Sequence, residues 1–185
     1  MIFETPRLTV RLWTADDADR LFDIYSRWEV ARWLGATPKV LETREQAVAV
    51  ASRWSSSWDS PFGVWALEVR ETGVIAGTVL LIPLPGSGSS VSSASSVSSG
   101  SSDEIEVGWH LHPDSQGHGY ATEAARAALD RARAAGVGEV FAVVRPGNDA
   151  SMAVCRRLGM ESIGRTARWY GVEAEAFRIS LVKGS

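Results

Sequence analysis

The residues best suited to chemistry lie between Glu104 and Ser151. Glu104-Ile105-Glu106-Val107-Gly108-Trp109-His110-Leu111-His112-Pro113 alternates in character, and Gln116-Gly117-His118-Gly119-Tyr120-Ala121-Thr122-Glu123 follows it. This reads as a strand, a tight turn and the start of a helix. Gly117 and Gly119 remove the Cβ atoms that would keep a ligand off the backbone. The first N–H groups of a helix have no internal partner, so such a turn suits a phosphate or pyrophosphate. It lacks the third glycine of a dinucleotide fingerprint and the Gly-Lys-Ser/Thr of a nucleotide P-loop. On its own, Gly-x-Gly also fits an ordinary glycine-rich helix entry.

Strand alternation puts Glu106, Gly108, His110 and His112 on one face and Ile105, Val107, Trp109 and Leu111 on the other. Glu106 is then either a base beside a reacting group or a solvated strand glutamate. His110, His112 and His118 raise the question of a metal. Pro113 bends the chain after His112 and His118 sits in the turn, so no metal is expected. Asn148 reads as a helix N-cap, with the hydroxyl of Ser151 one turn on. Cys155 shares that helix face, and a free cysteine ordinarily packs as a small hydrophobe. Tyr170, beside the last strands, is either a candidate proton donor or an ordinary loop aromatic. Trp28, Trp33, Trp54 and Trp58 are core residues, or offer a cation–π face to an ammonium group.

These groups need a scaffold. Leu8 to Trp13 alternates as a strand, and Thr14, Asp16 and Asp17 open a helix. Leu21, Phe22, Tyr25 and Trp28 continue it at helical spacing, and a second helix is expected from Thr43 to Trp54. Strands follow at Phe62 to Arg70 and Val74 to Ile82, the latter stopped by Pro83-Leu84-Pro85. Residues 86–102 hold eleven serines in seventeen positions. They offer too little apolar area to offset ordering entropy and are expected to form a flexible surface loop. Residues 119–135 line up Ala121, Ala124, Ala125, Ala128, Leu129, Ala132 and Ala135 on one helix face, with Gly136 as the C-terminal stop. A strand at Glu139 to Arg145, a short helix from Asn148, and strands near Met160–Trp169 and Ala174–Val182 complete the chain. The order β-α-α-β-β-β-α-β-α-β-β implies an α/β (α+β) domain around one mixed sheet over residues 1–185.

The chain has 185 residues, net charge −3 and 45% hydrophobic residues, the balance of a single globular domain. No apolar run approaches a membrane span and no secretory signal opens the chain, so a cytoplasmic protein is expected. One cysteine excludes an internal disulfide. An acidic chain is a poor general nucleic-acid binder. Charge is uneven. Residues 1–115 carry nine basic and fifteen acidic side chains, and residues 116–185 ten and seven. Either an acidic half suits a cationic partner and a basic half a phosphate-bearing one, or the charges simply scatter over a solvated surface.

Gln116-x-x-Gly119-x-Ala121 resembles the acyl-CoA pyrophosphate loop of the GNAT superfamily of N-acyltransferases. Glu106 to Pro113, Tyr120 to Ala124, Asn148-Asp149-Ala150-Ser151 and Arg156-Arg157-Leu158-Gly159-Met160 resemble its branch of ribosomal-protein N-terminal acetyltransferases. Met160 stands where that branch usually has Phe. Thr5-Pro6-Arg7-Leu8 and Ala31-Arg32-Trp33-Leu34 also match. The resemblance implies a mostly antiparallel sheet, splayed between the strands ending near Leu111 and Arg145. Acetyl-CoA would lie in that opening as co-substrate, with no metal. Backbone groups of Trp109, His110 and Leu111 would hold the pantetheine arm. Gln116 and the N–H groups of Gly117, His118, Gly119, Tyr120, Ala121 and Thr122 would hold the pyrophosphate. Asn148 would meet the pantetheine amides, and Ser151 would lie near the thiol. Direct transfer to an amine needs a base, for which Glu106 is the first candidate, with Ser151 and Tyr170 as acid candidates. The acceptor is a protein N-terminus or a small-molecule amine. The resemblance leaves a homodimer open. The alternative is a non-catalytic acyl-CoA-binding or partner-binding module of the same fold.

Overall fold

In the computed structural model, residues 1–56, 61–85 and 104–182 are described. The chain opens with a hairpin of β1 (Phe3–Glu4), which the sequence pattern does not announce, and β2 (Leu8–Arg11), the first expected strand. Three helices follow: α1 (Ala18–Tyr25), α2 (Trp28–Ala31) and α3 (Arg44–Ser56). Then come β3 (Gly63–Val69), β4 (Ile75–Pro83), β5 (Ile105–Leu111), α4 (Tyr120–Ala134) and β6 (Glu139–Val144). The chain ends with α5 (Asp149–Arg157), β7 (Glu161–Thr166) and β8 (Ala174–Ser180). The strands form one sheet of order β1-β2-β3-β4-β5-β6-β8-β7. Every neighbouring pair is antiparallel except β5 and β6.

Helices cover both faces of the central strands, which is why β3 and β4 are buried nearly throughout rather than alternately. On one face α1 and α3 pack Leu21, Ile24 and Ala51 against Ala66 and Ile75. On the other, the alanine stripe of α4 lies on Val79 and Val107. Ala124, Ala125, Ala128 and Ala132 are fully buried there. Ala135 falls outside this stripe and is exposed. The helix turns off at Gly136, where the Val137 N–H returns to the Ala132 carbonyl at 3.0 Å.

Trp28 does not continue the first helix. Arg27 is extended (φ −84°, ψ 121°), and its side chain takes the Asp23 carbonyl at 3.0 Å, near the helix end. Trp28 begins α2 and is 57% exposed. The strand expected through Trp169 stops at Thr166, because residues 167–171 fold into a turn closed by the Gly171 N–H on the Ala167 carbonyl. Residues 86–102, expected as a flexible loop, lie outside the described residues. Among the described residues no helix is long and apolar enough to cross a membrane.

The sheet forks between β5 and β6, where the resemblance implies a splay. The two strands pair only at Ile105↔Val140 and Glu106↔Phe141. Beyond that, β5 stays with β4 as far as Gly77↔Leu111. β6 stays with β8 as far as Val144↔Glu175. Gly77 lets β4 and β5 approach closely, since a Cβ there would sit 2.0 Å from the His110 carbonyl oxygen.

Candidate active site

The fork opens into a cleft of about 1390 Å³. Trp109, His110 and Leu111 of β5 line it, together with Asn148 and Ser151 at the start of α5. Gln116, Gly117, Gly119, Ala121 and Thr122 line it at the start of α4, and Val30, Trp33 and Leu34 contribute from α2 and the following turn. Gly117 and Gly119 take φ +80° and +81°, the left-handed region that favours glycine. A Cβ at Gly117 would meet open space, and one at Gly119 would meet only Arg7 Nη2 at 3.4 Å. Backbone conformation, not crowding, therefore calls for glycine here. The N–H groups of residues 117–122 find no backbone acceptor among the described residues. Such N–H groups at a helix start have the chemistry that suits an anion. The Gln116 amide is turned to the Leu111 carbonyl at 3.3 Å. The side chains of His118 and Tyr120 stack on each other (centroids 5.4 Å, planes 17° apart) and do not line the cleft.

Glu106 sits at the vertex of the fork, the last β5 residue paired to β6. It is 8% exposed. The Tyr170 hydroxyl donates to its Oε2, and the Val143 N–H donates to the same carboxylate. Burial pushes the carboxyl up to about 7, against the pull of these two hydrogen bonds. A carboxyl that titrates near neutrality is suited to general-base work. Burial and the neighbouring carboxylate push the Tyr170 phenol far above its ordinary value, so it stays a donor. The turn carrying Tyr170 is pinned by Trp169, whose Nε1 donates to Glu104 Oε2 at 2.9 Å and whose ring packs on Phe141 at 5.3 Å. Neither Glu106 nor Tyr170 is among the residues that line the cleft. Ser151 lines the cleft from α5, its N–H capped by Asn148 Oδ1 at 3.2 Å. Asn148 is the expected N-cap, and its side-chain N–H groups have no partner among the described residues.

The three histidines serve different neighbours. His110 Nδ1 lies 3.0 Å from the Tyr25 hydroxyl, which meets Thr78 Oγ1 at 2.7 Å. Burial pushes this imidazole down to about 4, so it is neutral. His112 lies between Asp23 (3.1 Å) and Asp114 (2.7 Å). Among the described residues no three His, Cys, Asp or Glu side chains gather as a metal site. Cys155 is buried, and burial pushes its thiol up to about 12, the state of a packing residue. Of the tryptophans, Trp33 lines the cleft under the Arg32 guanidinium at 4.3 Å, and Trp54 packs on Trp13 and Tyr25. Trp58 lies outside the described residues. Two contacts had no local signature in the sequence. Arg145 holds the Gly35 and Ala36 carbonyls, each at 2.6 Å, and Arg7 reaches the glycine turn.

Comparison with known proteins agrees with this geometry. The acetyltransferase (GNAT) domain family matches residues 7–161. An uncharacterized N-acetyltransferase of Bacillus subtilis (strain 168), YoaA, is 26% identical over 165 residues, covering 88% of this chain and 84% of that protein. A GNAT superfamily phosphinothricin acetyltransferase from Sinorhizobium meliloti, solved in complex with acetyl-CoA, shares the fold. Its TM-score is 0.67 at 16% identity, over 97% of this chain and 91% of that one. The ribosomal-protein-S5-alanine acetyltransferase of Vibrio fischeri matches with a TM-score of 0.66 at 18% identity, over 99% and 98%. With its forked sheet and its glycine turn at a helix start, the chain belongs to the GNAT acetyltransferase family.

Proposed function

We propose that the protein transfers an acetyl group from acetyl-CoA to a primary amine by direct attack. The observation that carries this reading is the fork, with free β5 backbone on one side and unpartnered N–H groups at its helix end. The pantetheine arm lies along Trp109, His110 and Leu111, and the pyrophosphate meets the N–H groups of Gly117 to Thr122 with Gln116 beside them. Asn148 meets the pantetheine amides through the N–H groups its cap leaves over.

The neutral amine nitrogen attacks the thioester carbonyl, the tetrahedral centre collapses, and the C–S bond breaks. Glu106 takes the amine's proton through water, because it is not among the residues that line the cleft. The departing thiolate takes a proton from Tyr170, whose hydroxyl must first leave Glu106, or from Ser151, which faces the cleft directly. The acceptor is a protein N-terminus or a small-molecule amine, and the site of action is the cytoplasm. The test is a panel of peptides and amines with acetyl-CoA, read as released CoA thiol. Acetylation of at least one amine supports the reading.

One observation favours a second reading, a non-catalytic acyl-CoA-binding module. Both Tyr170 and Val143 already occupy the Glu106 carboxylate. Tight acetyl-CoA binding with no turnover across the whole panel would favour it.

A further inference from the structure

We infer that Arg7 is a positioning residue, which orients the glycine turn for the phosphates of acetyl-CoA; this rests on the acetyl-CoA reading above. Arg7 lies at the entry to β2, 111 residues before the His118 carbonyl it touches. Glu123, in the first turns of α4, holds it in place. The Arg7 backbone N–H donates to Glu123 Oε1 at 2.9 Å, its Nε donates to Oε2 at 2.7 Å, and Thr5 Oγ1 donates to Oε1 at 2.6 Å. The guanidinium lies over the Tyr120 ring at 5.0 Å. With Nε committed to Glu123, Nη1 donates to the His118 carbonyl at 2.9 Å.

That last bond sets a direction. The carbonyl of His118 and the N–H of Gly119 belong to one planar trans peptide and point opposite ways. Anchoring the carbonyl to Arg7 aims the Gly119 N–H away from Arg7. A turn with two left-handed glycines has little stiffness of its own, so its peptide planes need an external anchor. A donor row fixed in advance binds its anion without the cost of ordering it. Arg7 also lines the cleft itself, so the entry to β2 both borders the pyrophosphate site and sets the direction of its donors.

Charge attraction and positioning make opposite predictions at Glu123. By Coulomb attraction alone, removing an acid beside a phosphate site tightens binding. By positioning, Glu123→Gln weakens it, because an amide cannot accept the Arg7 Nε–H through its nitrogen. Acetyl-CoA affinity is measured by calorimetry for wild type, Arg7→Ala, Arg7→Lys and Glu123→Gln, with steady-state rates alongside. Arg7→Ala and Glu123→Gln are each expected to weaken binding about tenfold and raise KM for acetyl-CoA with kcat held, the loss of roughly one charged hydrogen bond. Arg7→Lys does not rescue, since a point ammonium cannot serve Glu123 and the carbonyl in one fixed plane. S-acetylpantetheine, which carries no phosphate, is turned over equally by all four proteins.

Unchanged affinity in Arg7→Ala, tighter binding in Glu123→Gln, or full rescue by lysine would each overturn the inference. So would an equal loss with S-acetylpantetheine, which would mean general damage to the fold. Wild type that binds no acetyl-CoA would instead overturn the reading on which the inference rests.

Discussion

Glu106→Gln keeps the shape of the side chain and removes both its charge and its ability to accept a proton. The wild-type carboxyl titrates at about 7 instead of the ordinary 4.5, because burial disfavours the charged form more than Tyr170 and Val143 favour it. General-base assistance is worth roughly 10²–10⁴ in rate, so the variant should lose that much of kcat in the thiol-release assay. Acetyl-CoA affinity should not change. The acceptor amine's own titration is common to both proteins, so the ratio of wild-type to variant rates isolates the Glu106 titration. That ratio should climb as pH rises through about 7 and then level off. Stability gives a second readout with a definite sign. A carboxyl raised in the folded state contributes stability that is fully present below 4.5 and is lost as pH rises through about 7. The neutral glutamine has nothing to lose. From low pH to well above neutral, wild type should fall by about 3 kcal/mol relative to the variant, since each pH unit between 4.5 and 7 removes roughly 1.4 kcal/mol. A variant with full activity, or a rate ratio that ignores pH, would refute the assignment of Glu106 as the base.

Two further substitutions probe the same site from either end. Tyr170→Phe removes a hydrogen bond that favours the Glu106 carboxylate, so the midpoint of the rate profile should move upward by about one pH unit and kcat should fall; a midpoint that stays or drops contradicts the contact. Gly119→Val puts a β-branched residue at φ +81°, and the strained turn should weaken acetyl-CoA binding at least tenfold, with S-acetylpantetheine turnover less affected; calorimetry with acetyl-CoA and the thiol-release rate with S-acetylpantetheine check this.

Local patterns made most of the scaffold legible. The alanine stripe of α4, the hairpin of β3 and β4, and the strand-turn-helix from β5 to α4 all follow from periodicity and glycine placement, which act over a few residues. The break between Tyr25 and Trp28 was not legible, because an Arg27 side chain folding back on Asp23 leaves the helical spacing intact. β1 was missed because two residues show no period at all. The same limit divides the site. Gly117, Gly119 and Asn148 announce themselves through turn and cap chemistry. Strand alternation and the resemblance single out Glu106, but they leave base and solvated glutamate both open, and the contact with Tyr170, 64 residues away, has no local signature. The raised pKa of Glu106 is a product of that burial and has no sequence signature. The Arg7–Glu123 contact spans 116 residues and is invisible for the same reason.

The central claim is that the fork and its glycine turn form an acyl-CoA site. A thermal-unfolding titration with acetyl-CoA, CoA and ATP tests it most directly. A ligand that binds only the folded state at about 100 times its Kd adds roughly 2.7 kcal/mol of stability. The account predicts stabilisation of that size by acetyl-CoA and CoA and none by ATP, which has no pantetheine arm to lie along β5. Equal stabilisation by all three would reduce the turn to a general phosphate binder, and no shift with any of them would contradict the account.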